Sequence, residues 1–207
     1  FSRNAYAGML PFSPPEIMTA DLSPLVLELA VWGVRNPSEL SWLTLPQAAA
    51  WESARQVLID LDALDQNGSA TKTGKKMASF PLHPRLARLL MHAQELQVPK
   101  LGADLAAILS ERAILRRPSG HADRCEPDIT ERLQMFDDWR AGGAQRSCID
   151  VSALRAVDRT ARQLYRLLRI SSVRAEDAHD SDMVPRLLLA AYPDRIGKKR
   201  EEGEGRF

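Results

Sequence analysis

The chain has 207 residues, 44% apolar and 27% charged, with 28 Lys+Arg set against 27 Asp+Glu. That length holds one large or two small domains, and an aromatic content of only 6%, with few Val/Ile/Thr/Tyr runs, excludes an all-β fold. A net charge of +1 produces no long-range field of one sign, so the case for a nucleic-acid partner has to come from local patterning.

The longest nearly apolar run, Leu25 to Val34, contains Glu28 and falls short of the ~18 to 20 residues a membrane span requires. Cys125 and Cys148 are the only thiols, which fits a reducing compartment better than a disulfide scaffold and makes the cytoplasm the expected location. Phe1 stands where a start Met would, with no basic leader behind it, and Gly203 to Phe207 reads as the start of a strand. These ends are expected of a piece cut from a longer polypeptide.

Residues 1–20 carry Pro11, Pro14 and Pro15 beside Gly8 and read as a linker. Asp21 then caps a helix with Pro24 in its first turn, an apolar stripe of Leu22, Leu25, Val26, Leu29 and Trp32, and a stop at Gly33. Asn36 to Glu39 opens a short turn that leads to Leu40, Trp42 and Leu43. Thr44 and Gln47 have capping-box spacing, so a third helix is expected from Pro46 to about Leu64, burying Trp51, Ala54, Leu58 and Leu61. Asp65-Gln66-Asn67-Gly68 is a hairpin signal, followed by the polar run Ser69 to Thr73. Three helices and a small β-hairpin in that order make a winged helix.

From Thr73 the period is helical. A short helix over Gly74 to Ser79 stops at Pro81; Pro84 opens another with Leu86, Leu89, Leu90 and Ala93 inward. Pro99 opens the next, with Leu101, Leu105, Ile108 and Leu109 at helical spacing. Arg117 to Pro127 reads as a loop. Asp128 and Glu131 have capping-box spacing before Ile129, Leu133, Phe136 and Trp139, and Gly142-Gly143 ends that helix. Asp150 starts the longest helix, to about Ile170, followed by an acidic loop, Glu176 to Asp182, and a last helix from Met183 to Tyr192. The expected fold is mainly α, a winged helix followed by a helical bundle. Trp32, Trp42, Trp51 and Trp139 all fall on apolar stripes and are expected in the core.

No self-contained catalytic motif emerges. A phosphate-binding loop needs two glycines five positions apart and then Lys and Ser/Thr; Gly68 and Gly74 are six apart and Gly74-Lys75-Lys76 lacks the hydroxyl. His121 and Cys125 are the only pair at metal-ligand spacing, with no second pair to complete a site. His83, before Pro84, reads as a cap or core-edge residue.

One pattern stands out. Arg155, Arg159, Arg162, Arg166 and Arg169 follow one another in steps of 4, 3, 4 and 3 and fall within an arc of about 80°, while Leu154, Val157, Ala161, Leu164 and Leu168 occupy an arc roughly 140° away. Only Asp158 offers local neutralisation. Such a row suits consecutive phosphates of a nucleic acid, with Tyr165 available to stack on bases; the competing reading is a solvated face, or pairing with acids elsewhere. Lys72, Lys75 and Lys76, just after the expected wing, form a second basic group, and Arg195, Lys198, Lys199 and Arg200 a third, offset by Glu201, Glu202 and Glu204.

Leu10-Pro11-Phe12 through Pro14-Pro15-Glu16-Ile17, Ala20-Asp21-Leu22 with Leu27 to Ala30 and Trp32-Gly33, Leu40 to Leu43, Leu61 to Asp65, Thr73 to Ala78, Pro81 to Ala87, and Ala190 to Ile196 together resemble HrpB-type bacterial DEAH-box helicases, in the region that follows the second motor lobe. The resemblance implies a linker from the preceding lobe over 1–20, a winged-helix domain over 21–80, a ratchet-like helicase-associated bundle over 81–196, and the start of a following, truncated module over 197–207. It implies single-stranded RNA and the RecA-like lobes of the same polypeptide as partners. ATP and Mg would bind those lobes, with no cofactor and no catalytic residue in this stretch. Two other readings stay open: a sequence-specific winged-helix regulator of DNA, against which Glu52, Asp60 and Asp62 outnumber Arg55 on the would-be recognition helix, and a structural, protein-binding bundle.

Overall fold

The computed structural model of the chain describes residues 14–111, 128–143, 150–170 and 182–197, and it divides into two compact units at residue 84. Among the described residues there are eight α-helices and three short 3-10 turns, with no strand longer than a single bridge.

In the first unit, α1 (Ser23–Trp32) begins with Pro24 in its first turn and ends on Gly33 at φ +94°, as the proline and glycine dictate. Its start differs in detail: Asp21 accepts from the backbone amide and the hydroxyl of Ser23 at 2.8 and 2.7 Å, one residue ahead of the formal cap, Leu22. Trp32 is a correction, being 77% exposed. The buried face runs through Leu22, Ser23, Val26, Leu27, Leu29 and Ala30, so it is rotated toward the small residues that permit close packing and leaves Trp32 outside it.

A reciprocal capping box does occur, at Asn36 and Glu39, around the 3-10 turn Pro37–Glu39, where the Trp42 indole also donates to the Pro37 carbonyl at 2.6 Å and stays half-buried. Gln47, by contrast, caps nothing with its side chain, so the box expected from Thr44 and Gln47 is absent and α2 (Ala48–Asp60) is shorter than its apolar pattern suggested. Trp51, Ala54, Leu58 and Leu61 are buried as expected.

The wing is reduced to one antiparallel bridge, Leu64 to Ala70. Its shortness has a local cause. Asp62, at φ +58°, ends the helix two residues before the bridge, and the Asp65 carboxylate takes the turn amides of Asn67 and Ser69 at 2.9 and 2.8 Å, with Gly68 at φ +78° closing the loop. Thr71 then caps α3 (Lys72–Ala78), accepting from the Gly74 amide at 2.9 Å while its hydroxyl donates to the Asp62 carbonyl at 2.7 Å. No length is left for a ladder. Gly74 is required for packing: a Cβ there would lie 2.1 Å from the Ala63 carbonyl oxygen.

In the second unit, α4 (Pro84–Glu95) and α5 (Pro99–Ser110) are opened by their prolines, and Leu86, Leu89, Leu90 and Ala93 are buried. Every residue of α5 from Leu101 to Ile108 is buried, which makes it the central helix, packed against α6 (Ile129–Arg140), α7 (Val151–Leu167) and α8 (Met183–Ala191). Gly102 lets α4 come close, since a Cβ there would meet the Ala93 Cβ at 2.3 Å. Asp128 caps α6 through the Thr130 amide, without the reciprocal bond from Glu131, and Gly142 ends the helix at φ +78°. Trp139 is half-buried, stacked on buried Phe136 with ring centroids 6.2 Å apart. Arg85 ties the start of α4 to the end of α8: its guanidinium donates to the Ala191 carbonyl at 3.0 Å and to both Asp194 oxygens at 2.6 and 2.8 Å.

Candidate nucleic-acid interface

Asp150 starts α7 as its sequence predicts, its carboxylate accepting from the amides of Ser152 and Ala153 at 2.9 and 3.3 Å. Leu154, Val157, Ala161 and Leu164 are buried against the bundle, and Arg155, Arg159, Arg162, Arg166 and Arg169 are all exposed. Four of these arginines lie on the helix and spread over an arc of about 60° and a length of about 16 Å. Arg169 is a correction: it sits beyond the last helical residue, Leu167, at φ +54°, so it does not continue the row in register.

The face is pointed outward by polar clamps on both flanks of α7. On one side the Thr160 hydroxyl donates to Glu111 at 2.9 Å. On the other, Arg140 at the end of α6 reaches across with its guanidinium 3.9 Å from the centroid of the Phe136 ring. It donates to Asp158 at 2.8 Å, to Asp104 at 2.9 Å and to the Tyr165 hydroxyl at 2.9 Å. Tyr165 in turn donates to Asp104 at 2.5 Å.

Asp104 lies on α5 and is 0% exposed. Burial pushes its carboxyl above the ordinary range, and the Arg140 charge with the hydrogen bonds from Tyr165 and Arg140 offsets only part of that rise. Burial opposes the charge on Arg140 most strongly of any single influence, but Asp104, Tyr165 and Asp158 together outweigh it and hold the guanidinium protonated. The Tyr165 phenol is pushed up, by burial first and by Asp104 second. The expectation that Tyr165 stacks on bases is therefore corrected: the ring is half-buried and its hydroxyl is committed to the network. Neither Asp104 nor Arg140 carries a recognisable sequence signal, since one sits on an otherwise apolar helix and the other ends a mixed one.

Of the four helical arginines, Arg162 has an acidic partner, donating from Nε to Asp158 at 2.7 Å. Arg155, Arg159 and Arg166 have none among the described residues, the Arg166 Nε lying 3.4 Å from the Arg162 carbonyl. The acidic loop Glu176 to Asp182 lies outside the described residues except for Asp182, whose side chain does not cap α8.

In the first unit Lys72, Lys75 and Lys76 are exposed on α3, a helix of only 7 residues. The same segment does not fit a nucleotide phosphate, because the Gly74 amide is spent on Thr71 and its Cα is pressed on the Ala63 carbonyl. Arg55 on α2 is committed locally: it donates to the Gln66 carbonyl at 2.7 Å, pairs with Glu52 at 3.6 Å and lies against Gly68. His83 meets Asp21 at 3.1 Å, the core-edge role expected for it. Burial works against the Asp21 charge, yet the Ser23 hydrogen bonds and the neighbouring His83 bring its carboxyl below the usual value. His121, Cys125, Cys148, Lys198, Lys199 and Arg200 lie outside the described residues, and among the described residues no cluster of three metal-ligating side chains occurs. No helix there is long and apolar enough to cross a membrane.

The helicase-associated domain (HA2), winged-helix family matches residues 54–82, from mid-α2 through the bridge and α3. The ATP-dependent RNA helicase HrpB of Escherichia coli is 30% identical over 201 residues, which covers 94% of this chain and 20% of that protein. The pre-mRNA-splicing factor ATP-dependent RNA helicase prp22 of Schizosaccharomyces pombe is 28% identical over 222 residues, 99% of this chain and 19% of its own length. Two crystal structures of the Escherichia coli HrpB protein, described as a DExH-box NTPase and as a DEAH/RHA helicase, superpose with TM-scores of 0.65 and 0.67 at 27% and 26% identity. They cover 96% and 97% of this chain and 21% and 22% of theirs. The chain spans about a fifth of the length of these relatives. With about 30% identity and a shared fold over nearly its whole length, the chain is a helicase-associated, winged-helix region of the HrpB-like DEAH/RHA helicases.

Proposed function

We propose that this region grips single-stranded RNA for an ATP-dependent RNA helicase, with the arginine face of α7 following the phosphate backbone without regard to sequence. The observation that carries this reading is the face itself: Arg155, Arg159, Arg162 and Arg166 are exposed on one side of a clamped helix, three of them without an acidic partner among the described residues. Guanidinium groups held in a row release counterions from a strand and pair with successive phosphates. Arg169, just past the helix, and Lys72, Lys75 and Lys76 on α3 supply further, weaker phosphate contacts.

In this reading residues 1–20 link to a preceding motor lobe, 21–80 form the winged-helix domain, 81–196 the ratchet-like bundle, and 197–207 begin a following module. ATP and its Mg ion bind RecA-like lobes elsewhere in the same polypeptide, which works in the cytoplasm. The chain of 207 residues therefore turns over no ATP by itself. A sequence-specific DNA reader is disfavoured because α2 exposes Glu52 and Asp60 while its one arginine is committed to the Gln66 carbonyl. The test is anisotropy titration of labelled oligouridine with the 207-residue chain. Arg159→Glu with Arg166→Glu abolishes binding without lowering the melting temperature; unchanged binding would refute the reading.

A further inference from the structure

Asp158 is the one carboxylate on the arginine side of α7, and it is shared. Its Oδ1 accepts from Arg140 Nε at 2.8 Å and its Oδ2 from Arg162 Nε at 2.7 Å. The two cations are held very differently. Arg140 is fixed independently of Asp158, by buried Asp104, by Tyr165 and by the Phe136 ring. Arg162 is 71% exposed in its side chain, and the ion pair with Asp158 is the interaction that orients its guanidinium. The Asp158 side chain itself is only 13% exposed, so the pair is desolvated on one partner and hydrated on the other. A cleft of about 580 Å³, with Lys100, Asp137 and Tyr165 in its wall beside Arg140, Asp158 and Arg162, opens beside this pair and lets an anion approach it from the flank.

We propose that Asp158 is a brake on the RNA grip: it occupies the Arg162 guanidinium until a phosphate displaces it, and Arg140 then retains the released carboxylate. This rests on the RNA-gripping reading above and assigns the affinity-setting residue within it. The exchange costs little structure, because Asp158 keeps one of its two partners and Arg140 keeps all of its own. What it sets is strength. Three helical arginines engage without competition, whereas the fourth contributes only the difference between a phosphate and a carboxylate partner, which leaves a grip weak enough for a strand to slide.

The experiment uses the 207-residue chain and labelled oligouridine, titrated at several salt concentrations. Asp158→Asn keeps the shape, removes the charge and frees Arg162. Binding tightens about threefold or more and the log–log salt slope steepens by about 0.7, the increment of one phosphate contact on a single strand. Arg162→Gln in that background removes the gain. In the unaltered chain Arg162→Gln changes affinity less than Arg159→Gln does, a comparison that leaves Asp158 in place and holds even if Asp158→Asn folds poorly. Equal losses from Arg162→Gln and Arg159→Gln, or unchanged binding by a folded Asp158→Asn chain, overturn the brake while leaving the arginine face standing. Full binding by the Arg159→Glu, Arg166→Glu chain removes the face and the brake together.

Discussion

Helices α2 and α7 are both amphipathic, both buried along one side, and both candidates by position for touching nucleic acid, yet they use their arginines in opposite ways. On α2 the single arginine, Arg55, is folded back to hold the Gln66 carbonyl of the reduced wing and pairs with Glu52 at 3.6 Å, while Asp60 faces solvent. On α7 the structural work is done by Asp158, Thr160 and Tyr165 on the flanks, so Arg155, Arg159 and Arg166 are left for a ligand. Surface charge becomes a binding face when other residues take over the job of holding the helix.

That contrast is most severely broken at Arg140, which serves α7 as Arg55 serves the wing but pairs with a fully buried carboxylate, Asp104. Arg140→Met strands the fully buried Asp104 without its counterion, and we expect a loss of about 3 to 5 kcal/mol in urea unfolding. RNA affinity should fall with it, since α7 loses its flank clamp. The next effect belongs to the first unit. Gly74→Ala places a Cβ on the Ala63 carbonyl oxygen and should cost about 3 kcal/mol by the same measurement, through overpacking and with no loss of charge.

The smallest effect is a pH dependence. Hydrogen bonds from Arg85 hold the Asp194 carboxyl below its ordinary value of 3.8. A lowered folded value means that its stabilisation is complete above pH 3.8 and disappears as pH falls through the lower folded value. Asp194→Asn should therefore make the decline of the melting temperature across that acid window shallower than in the unaltered chain, with the lowered carboxyls of Asp21 and Glu95 supplying the rest. Asp104 acts with the opposite sign: its raised value makes protonation favour the folded state, so it does not contribute to acid unfolding.

Much of this was legible in the residues. Prolines 24, 84 and 99 opened helices, Gly33 and Gly142 closed them, and Asp128 and Asp150 capped them, because those signals are local and chemically specific. The arginine row was legible for the same reason: spacing on a helix fixes its direction. Trp32 was misplaced because an apolar stripe counts size, whereas α1 packs through Ser23 and Ala30. The hairpin was overestimated because the Asp65 carboxylate takes the turn amides and Thr71 already caps the next helix, which leaves no length for a ladder. The Asp104, Arg140, Tyr165 and Asp158 network could not be read at all, since its members come from three helices and meet only when those helices pack.

The central claim is that the arginines of α7, more than the lysines of α3, hold the strand. It is tested by the salt dependence of oligouridine binding in three chains: unaltered, Arg155, Arg159 and Arg166 all changed to Gln, and Lys72, Lys75 and Lys76 all changed to Gln. For the unaltered chain we expect a log–log slope of about −2 to −3, reduced by about 2 in the arginine variant and by less than about 1 in the lysine variant. A slope that survives the arginine changes, or that collapses with the lysines instead, would contradict the account.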